Sequence, residues 1–131
     1  MSDDDTPRGD LMLRTLAMPA DTNPAGDIFG GWVLAQMDIA GGIAAQEKTG
    51  GRVATVAVDS MSFHKPVYVG DVMCCYAEPV RTGTTSITFR IQAFVIRGAH
   101  SGVRVKVTEG LFTFVAIGED RKPRTITPAD A

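Results

Sequence analysis

Asp38 lies inside an apolar run, GGWVLAQMDIAGGIAAQE over residues 30–47, and is the residue that most asks for a chemical explanation. A carboxylate on an apolar helix costs stability unless a partner or a function compensates it. Its neighbours one turn away would be Leu34, Ala35, Gly41 and Gly42, and none is a cation. Gly41 and Gly42 also leave room beside the carboxylate for a ligand. The structural alternative is that Asp38 faces solvent or pairs with a distant arginine. Asn23-Pro24 lies shortly before the helix; such pairs punctuate turns, yet the side-chain amide can also orient a polar ligand. Gly30-Gly31 opens the helix, where free backbone N–H groups and the positive end of the dipole point outward. That placement suits an anion or oxyanion, or else a close approach to a strand. Asp27 is expected to cap the helix.

Other chemistry is scarce. Cys74 and Cys75 are adjacent, so on a strand they point to opposite faces and a disulfide between them is strained; both read as small packing residues. With His64 and His100 the only histidines, no metal site of ordinary ligand spacing can be assembled. No GxSxG elbow and no Cys–His pairing is evident. Glu109, among apolar residues near the C-terminus, has no assigned role. The turn Arg81-Thr82-Gly83-Thr84-Thr85-Ser86 offers a base, hydroxyls and a glycine, a combination that holds phosphate as well as it closes a hairpin.

These residues must be positioned by one domain. The chain has 131 residues, 44% hydrophobic and 21% charged, enough for a core of its own. The helix expected over 30–47 is apolar nearly all round and therefore buried; Gly50-Gly51 stops it. Strands are expected over 11–18, 52–63, 71–80, 84–96 and 103–117. The fourth alternates Ile87, Phe89, Ile91, Ala93 and Val95 against Ser86, Thr88, Arg90 and Gln92. The last carries a bulge at Glu109-Gly110. Five largely antiparallel strands around one long helix give an α+β domain, whose uncovered apolar surface predicts burial against a second copy.

The net charge is −2, and residues 1–10 hold four acids and one base, leaving 12 bases and 11 acids in the remainder. That balance carries no nucleic-acid footprint. No apolar run reaches the roughly 20 residues of a membrane span. The acidic start is the opposite of a signal peptide, so a cytoplasmic protein is expected. The expected organisation is an acidic disordered leader over 1–8, one domain over 9–125 and a flexible tail over 126–131.

The stretches GDLMLRTLAMPADTNPAGDIFGGW, MDIAGG, RVATVAVDSMSF, KPVYVGDVMCCYA and GTTS resemble the YciA-type acyl-CoA thioesterases, hotdog-fold relatives of the brain acyl-CoA hydrolase. The likeness spans about residues 9–124. It implies a hotdog fold, with a curved antiparallel sheet wrapped around one central helix. It implies hydrolysis of acyl-CoA without a metal or redox cofactor, and assembly as a homo-oligomer, a hexamer built as a trimer of dimers. It further implies that Asn23 and Asp38 are catalytic and act across the dimer interface. Under that reading Asp38 is general base or nucleophile, Asn23 orients water or the carbonyl, and Gly30 and Gly31 stabilise the oxyanion. Lys65, Arg81, Gly83, Thr84, Thr85 and Ser86 are the candidates for coenzyme A. Two other readings stand beside it. A non-catalytic acyl-CoA-binding module would keep the groove without needing Asp38. A hotdog dehydratase would need a histidine beside the helix carboxylate, and this helix has none.

Overall fold

The computed structural model describes residues 6–98 and 102–126. Its elements are β1 (Asp10–Leu16), α1 (Gly30–Thr49), β2 (Val53–Phe63), β3 (Val72–Thr82), β4 (Ser86–Ile96) and β5 (Arg104–Ala116), with a 3-10 turn at Pro19–Asp21. The strands form one antiparallel sheet in the order β1-β3-β4-β5-β2, so β1 and β2 are its edges. This is the expected α+β hotdog arrangement. The helix runs two residues beyond the expected end because Gly50, at φ 75°, supplies the left-handed cap; its N–H donates to Gln46 O at 2.8 Å. The Thr49 carbonyl, orphaned by that ending, accepts from Arg124 Nη2 at 2.6 Å.

Small residues let α1 lie close on the sheet. Ala40, Gly41, Ala44 and Ala45 are buried against Phe89, Phe112 and Phe114. A Cβ on Gly41 would come within 2.7 Å of Phe114 Cζ, whereas one on Gly42 would meet nothing nearer than 4.0 Å. Gly41→Ala should therefore cost about 1–3 kcal/mol through overpacking. Gly42→Ala should be neutral, or stabilising by up to about 1 kcal/mol, because alanine is the better helix former. Urea unfolding of the two variants checks the contrast, and equal midpoints would refute it.

The helix is not buried all round. Val33 and Met37 face the core with the small residues above, while Ile39 is 49% and Ile43 37% exposed. On the neighbouring edge strand Val56 and Val58 are also exposed. One apolar stripe meets this sheet; among the described residues nothing covers the opposite stripe.

Bulges fall elsewhere than expected. Ser60 and Met61 are the extra residues on β2 opposite Gly110, with Ser60 at φ 56°. A side chain on Gly110 would collide with Met61 Sδ, so glycine makes room for the bulge in its partner. The β5 bulge is at Val107, whose carbonyl accepts from His64 N at 2.8 Å and Lys65 N at 3.4 Å.

Cys74 and Cys75 are buried free thiols on opposite faces of β3. Burial, with a smaller contribution from Cys74, pushes the Cys75 thiol up to about 12, so it packs and does not act as a nucleophile. Glu109 belongs to a polar network that joins β3, β4 and β5. Gln92 Nε2 donates to its Oε1 at 2.7 Å, Lys106 Nζ lies at 2.9 Å, and Arg90 bridges toward Glu78. Partial burial opposes ionisation of Glu109, but those hydrogen bonds and charges outweigh it and hold its carboxyl below the ordinary range. Arg8, expected in the leader, donates its backbone N–H to Gln92 Oε1 at 2.8 Å, and its guanidinium lies 3.6 Å from Glu78. Ile126, expected in the tail, is buried in the core. Residues 1–5 and 127–131 and His100 lie outside the described residues. Among the described residues no helix is long and apolar enough to cross a membrane.

Candidate active site

Asp38 projects toward β2. Its Oδ1 accepts a hydrogen bond from Thr55 Oγ1 at 2.6 Å. An ionised carboxylate only accepts, so the hydroxyl is the donor and Oδ2 is left for a second partner. Among the described residues no arginine or lysine reaches Asp38, which removes the distant-cation explanation for its charge. The pair sits in a cleft of about 290 Å³ between α1 and β2, whose walls are Gly31, Leu34, Ala35, Val58 and Phe112. A half-buried carboxylate, anchored through one oxygen in an apolar cleft, can take a proton from water or attack an electrophilic carbon.

Asn23 performs the structural task its turn setting suggested. Its Oδ1 accepts from Ala25 N at 3.0 Å and Asp27 N at 3.1 Å, and its own N–H donates to Asp27 O at 2.7 Å. Because two backbone donors fix the oxygen's position, the side-chain NH2 points away from the turn. Among the described residues it has no acceptor. A donor held this rigidly suits a carbonyl oxygen or a developing oxyanion.

Asp27 is not the helix cap. Phe29 occupies that position and no side chain caps the helix, because Asp27 is drawn into the turn that Asn23 clasps. The Gly30 and Gly31 N–H groups consequently find no acceptor among the described residues. The helix start is left open toward solvent, with both glycines exposed. Trp32 packs against the core, whereas Phe29 is exposed.

A second cavity, of about 420 Å³, holds Asn23, Gly30, Phe63, His64 and Lys65. Asn23 and Asp38 thus open into different cavities of one chain. Gly31 lines the cleft of Asp38 and Gly30 the cavity of Asn23, so the helix start stands between them.

The coenzyme A candidates divide. Lys65 is exposed beside Asn23 at the start of α1. The 81–86 segment forms the β3–β4 turn, closed by Gly83 N donating to Ser86 O at 2.7 Å. Thr84 O and Thr85 O accept from Ile126 N and Ala116 N, which ties this turn to the end of β5, near the helix C-terminus. One chain does not bring the two sets together. Arg81 and Thr84 are exposed there.

Two residues of consequence went unnoticed in the sequence. Thr55 is one of many β-strand threonines, and only the fold brings it across 17 positions to Asp38. Asp71, in the VGD stretch, is buried and pairs with Arg97 at 2.8 Å while accepting from Tyr68 N at 2.9 Å. Arg97 also donates to Pro66 O at 3.1 Å and stacks on Tyr68 at 4.7 Å from the ring centre, so the pair fastens the Lys65-bearing loop. The hydrogen bonds that Arg97 donates to Asp71 hold its guanidinium above its ordinary range, against partial burial.

Residues 25–99 match the family model described as the thioesterase superfamily. Over 125 residues, the chain is 57% identical to the acyl-CoA thioester hydrolase YciA of Salmonella typhimurium, covering 94% of each. The chain belongs to the YciA-type acyl-CoA thioester hydrolases. Other members of the superfamily resemble it in three dimensions as well. A hexameric thioesterase of Yersinia pestis superposes with a TM-score of 0.88 at 54% identity, covering 93% of this chain and 99% of that one. An acyl-CoA hydrolase of Staphylococcus aureus, solved with butyryl coenzyme A, coenzyme A and coenzyme A disulfide, superposes with a TM-score of 0.80 at 28% identity, covering 87% and 69%. That hydrolase has also been solved as single alanine variants of an Asn, an Asp and a Thr. Their separations along the chain equal those of Asn23, Asp38 and Thr55 in this YciA-type chain.

Proposed function

We propose that this protein hydrolyses acyl-CoA thioesters at sites formed between two copies of the chain. The observation that carries the reading is the Asp38–Thr55 pair, a carboxylate without a cation, held at 2.6 Å in an apolar cleft. The donors it needs lie elsewhere. Gly31 is seven residues before Asp38 on the same helix, about 10 Å away at the helical rise per residue. A carbonyl carbon within reach of Asp38 therefore cannot rest its oxygen on the helix start of the same chain. A second copy, laid on the exposed residues Ile39, Ile43 and Val56, brings Asn23 and the Gly30–Gly31 N–H groups of one chain to Asp38 of the other. The similarity to hexameric thioesterases supports a further assembly of three such dimers.

In the water route, Asp38 Oδ2 accepts a proton as the water oxygen bonds to the thioester carbon. The carbonyl electrons move onto oxygen, where the Asn23 amide and the helix N–H groups donate to them. Collapse expels the coenzyme A thiolate and leaves the free acid. In the covalent route Asp38 itself attacks the thioester carbon and the C–S bond breaks, releasing the coenzyme A thiolate and a mixed anhydride that water then cleaves to the free acid and Asp38. Both use the same residues, and neither calls for a metal or redox cofactor. Lys65 and the 81–86 turn, near opposite ends of α1 in one chain, are assigned to the charged end of coenzyme A, each serving the site to which the assembly brings it.

Release of free thiol from acyl-CoAs of graded chain length tests the reading. Turnover is expected. Protein that is folded and oligomeric, binds acyl-CoA and releases no thiol would make it a binding module instead.

A further inference from the structure

The cleft beside Asp38 has a direction. Asp38 and Thr55 stand at one end, and from there it follows one face of α1 past Leu34 and Ala35 to Gly31. Thr55 and Val58 pair with Phe114 and Phe112, two residues of the buried core, and so face the helix side of the sheet. Phe112 forms the floor, while Leu34 is half-buried and Val58 is 40% exposed at the rim. At about 30 Å³ for a group the size of a water molecule, 290 Å³ accommodates roughly ten such groups. Short and medium acyl chains fit within it. Longer ones must pass between the two rim residues.

We propose that Val58 and Leu34 set the acyl-chain length preference, acting as a rim that the chain must pass once it outgrows the cleft leading from Asp38. The inference rests on the thioester-hydrolase reading and adds to it the residues that select among substrates. Neither side chain is part of the reacting group: they are apolar, lack a proton to give, and lie one helical turn and three strand residues from Asp38 and Thr55. Their effect should therefore depend on chain length and leave the chemical step alone.

Val58→Phe adds bulk at an exposed strand position that tolerates an aromatic residue. With this variant, the ratio of kcat/KM for lauroyl- and palmitoyl-CoA to that for acetyl- and butyryl-CoA should fall about tenfold or more relative to the unsubstituted protein. Leu34→Ala opens the rim and should raise the long-to-short ratio instead. It decides the matter if Val58→Phe disturbs assembly, as judged by size-exclusion chromatography. An unchanged length profile in both variants, or a uniform loss at every length, overturns the rim assignment while leaving the hydrolase reading intact. Failure of the unsubstituted protein to turn over any ester overturns the hydrolase reading, and the rim assignment falls with it.

Discussion

Replacing Asp38 by Asn should lower acyl-CoA turnover about 10³-fold while leaving folding and substrate binding nearly unchanged. The substitution keeps the shape and a hydrogen bond with Thr55 while abolishing both basicity and nucleophilicity. Thr55→Val, which removes only the anchor on Oδ1, should cost less, about 10–100-fold, because Asp38 remains but is less well aimed. Asn23→Ala should also impair turnover, and part of its effect will come through the turn that Oδ1 holds together. Mixing subunits separates these contributions. If Asn23 and Asp38 act across an interface, a dimer of one Asp38→Asn chain and one Asn23→Ala chain contains one intact site and one doubly disabled site. Random reassociation of equal amounts should then restore about a quarter of the original activity. Steady-state thiol release before and after denaturation and refolding of the mixture measures it. No recovery from a mixture shown to exchange subunits would place both residues in the same protomer's site.

Asp71→Ala should be the most destabilising of the substitutions considered, by about 3 kcal/mol. The carboxylate is buried, and it organises the Arg97 guanidinium, the Tyr68 N–H and, through Arg97, the Pro66 carbonyl. Removing it takes away the buried carboxylate that Arg97 grips and loosens the loop that carries His64 and Lys65 beside Asn23. Arg97 is 37% exposed on its side chain, so water recovers part of the loss, which places the estimate at the low end for a broken buried pair. Urea or thermal unfolding gives the size directly. A shift below about 0.5 kcal/mol would mean that the loop is held by backbone bonds alone. The expected weakening of KM above that of kcat, at temperatures where the variant stays folded, follows from the position of Lys65.

Much of this protein is legible without coordinates where the signal is local. Alternation places Ile87, Phe89, Ile91, Ala93 and Val95 on one face of β4, and all five are in the core. The glycine pair at 50–51 ends α1 two residues beyond the expected end, because a left-handed cap is a local requirement. Asp38 stands out because a charge in an apolar run violates a rule that can be checked along the chain. The match of Arg14 to Asp38 with one family supplied the roles that composition could not.

What local reading missed involves residues far apart in the chain. The Asp27 cap is the local exception, since Asn23, four residues away, had already claimed that backbone for its own turn. The bulge expected at Gly110 belongs to its partner strand, since a glycine beside a bulge and a glycine within one look alike in sequence. Glu109 acquired Gln92 and Arg90 as partners only when β4 and β5 came into register. The sequence by itself determined the sheet-and-helix architecture, the carboxylate and the rigid amide, because periodicity, turn chemistry and misplaced charge are properties of neighbours in the chain. Tertiary structure alone decided that Thr55 anchors Asp38, that Asp71 and Arg97 fasten the loop, and that Asn23 and Asp38 open into separate cavities. Each depends on a long-range contact that no interval in the sequence encodes.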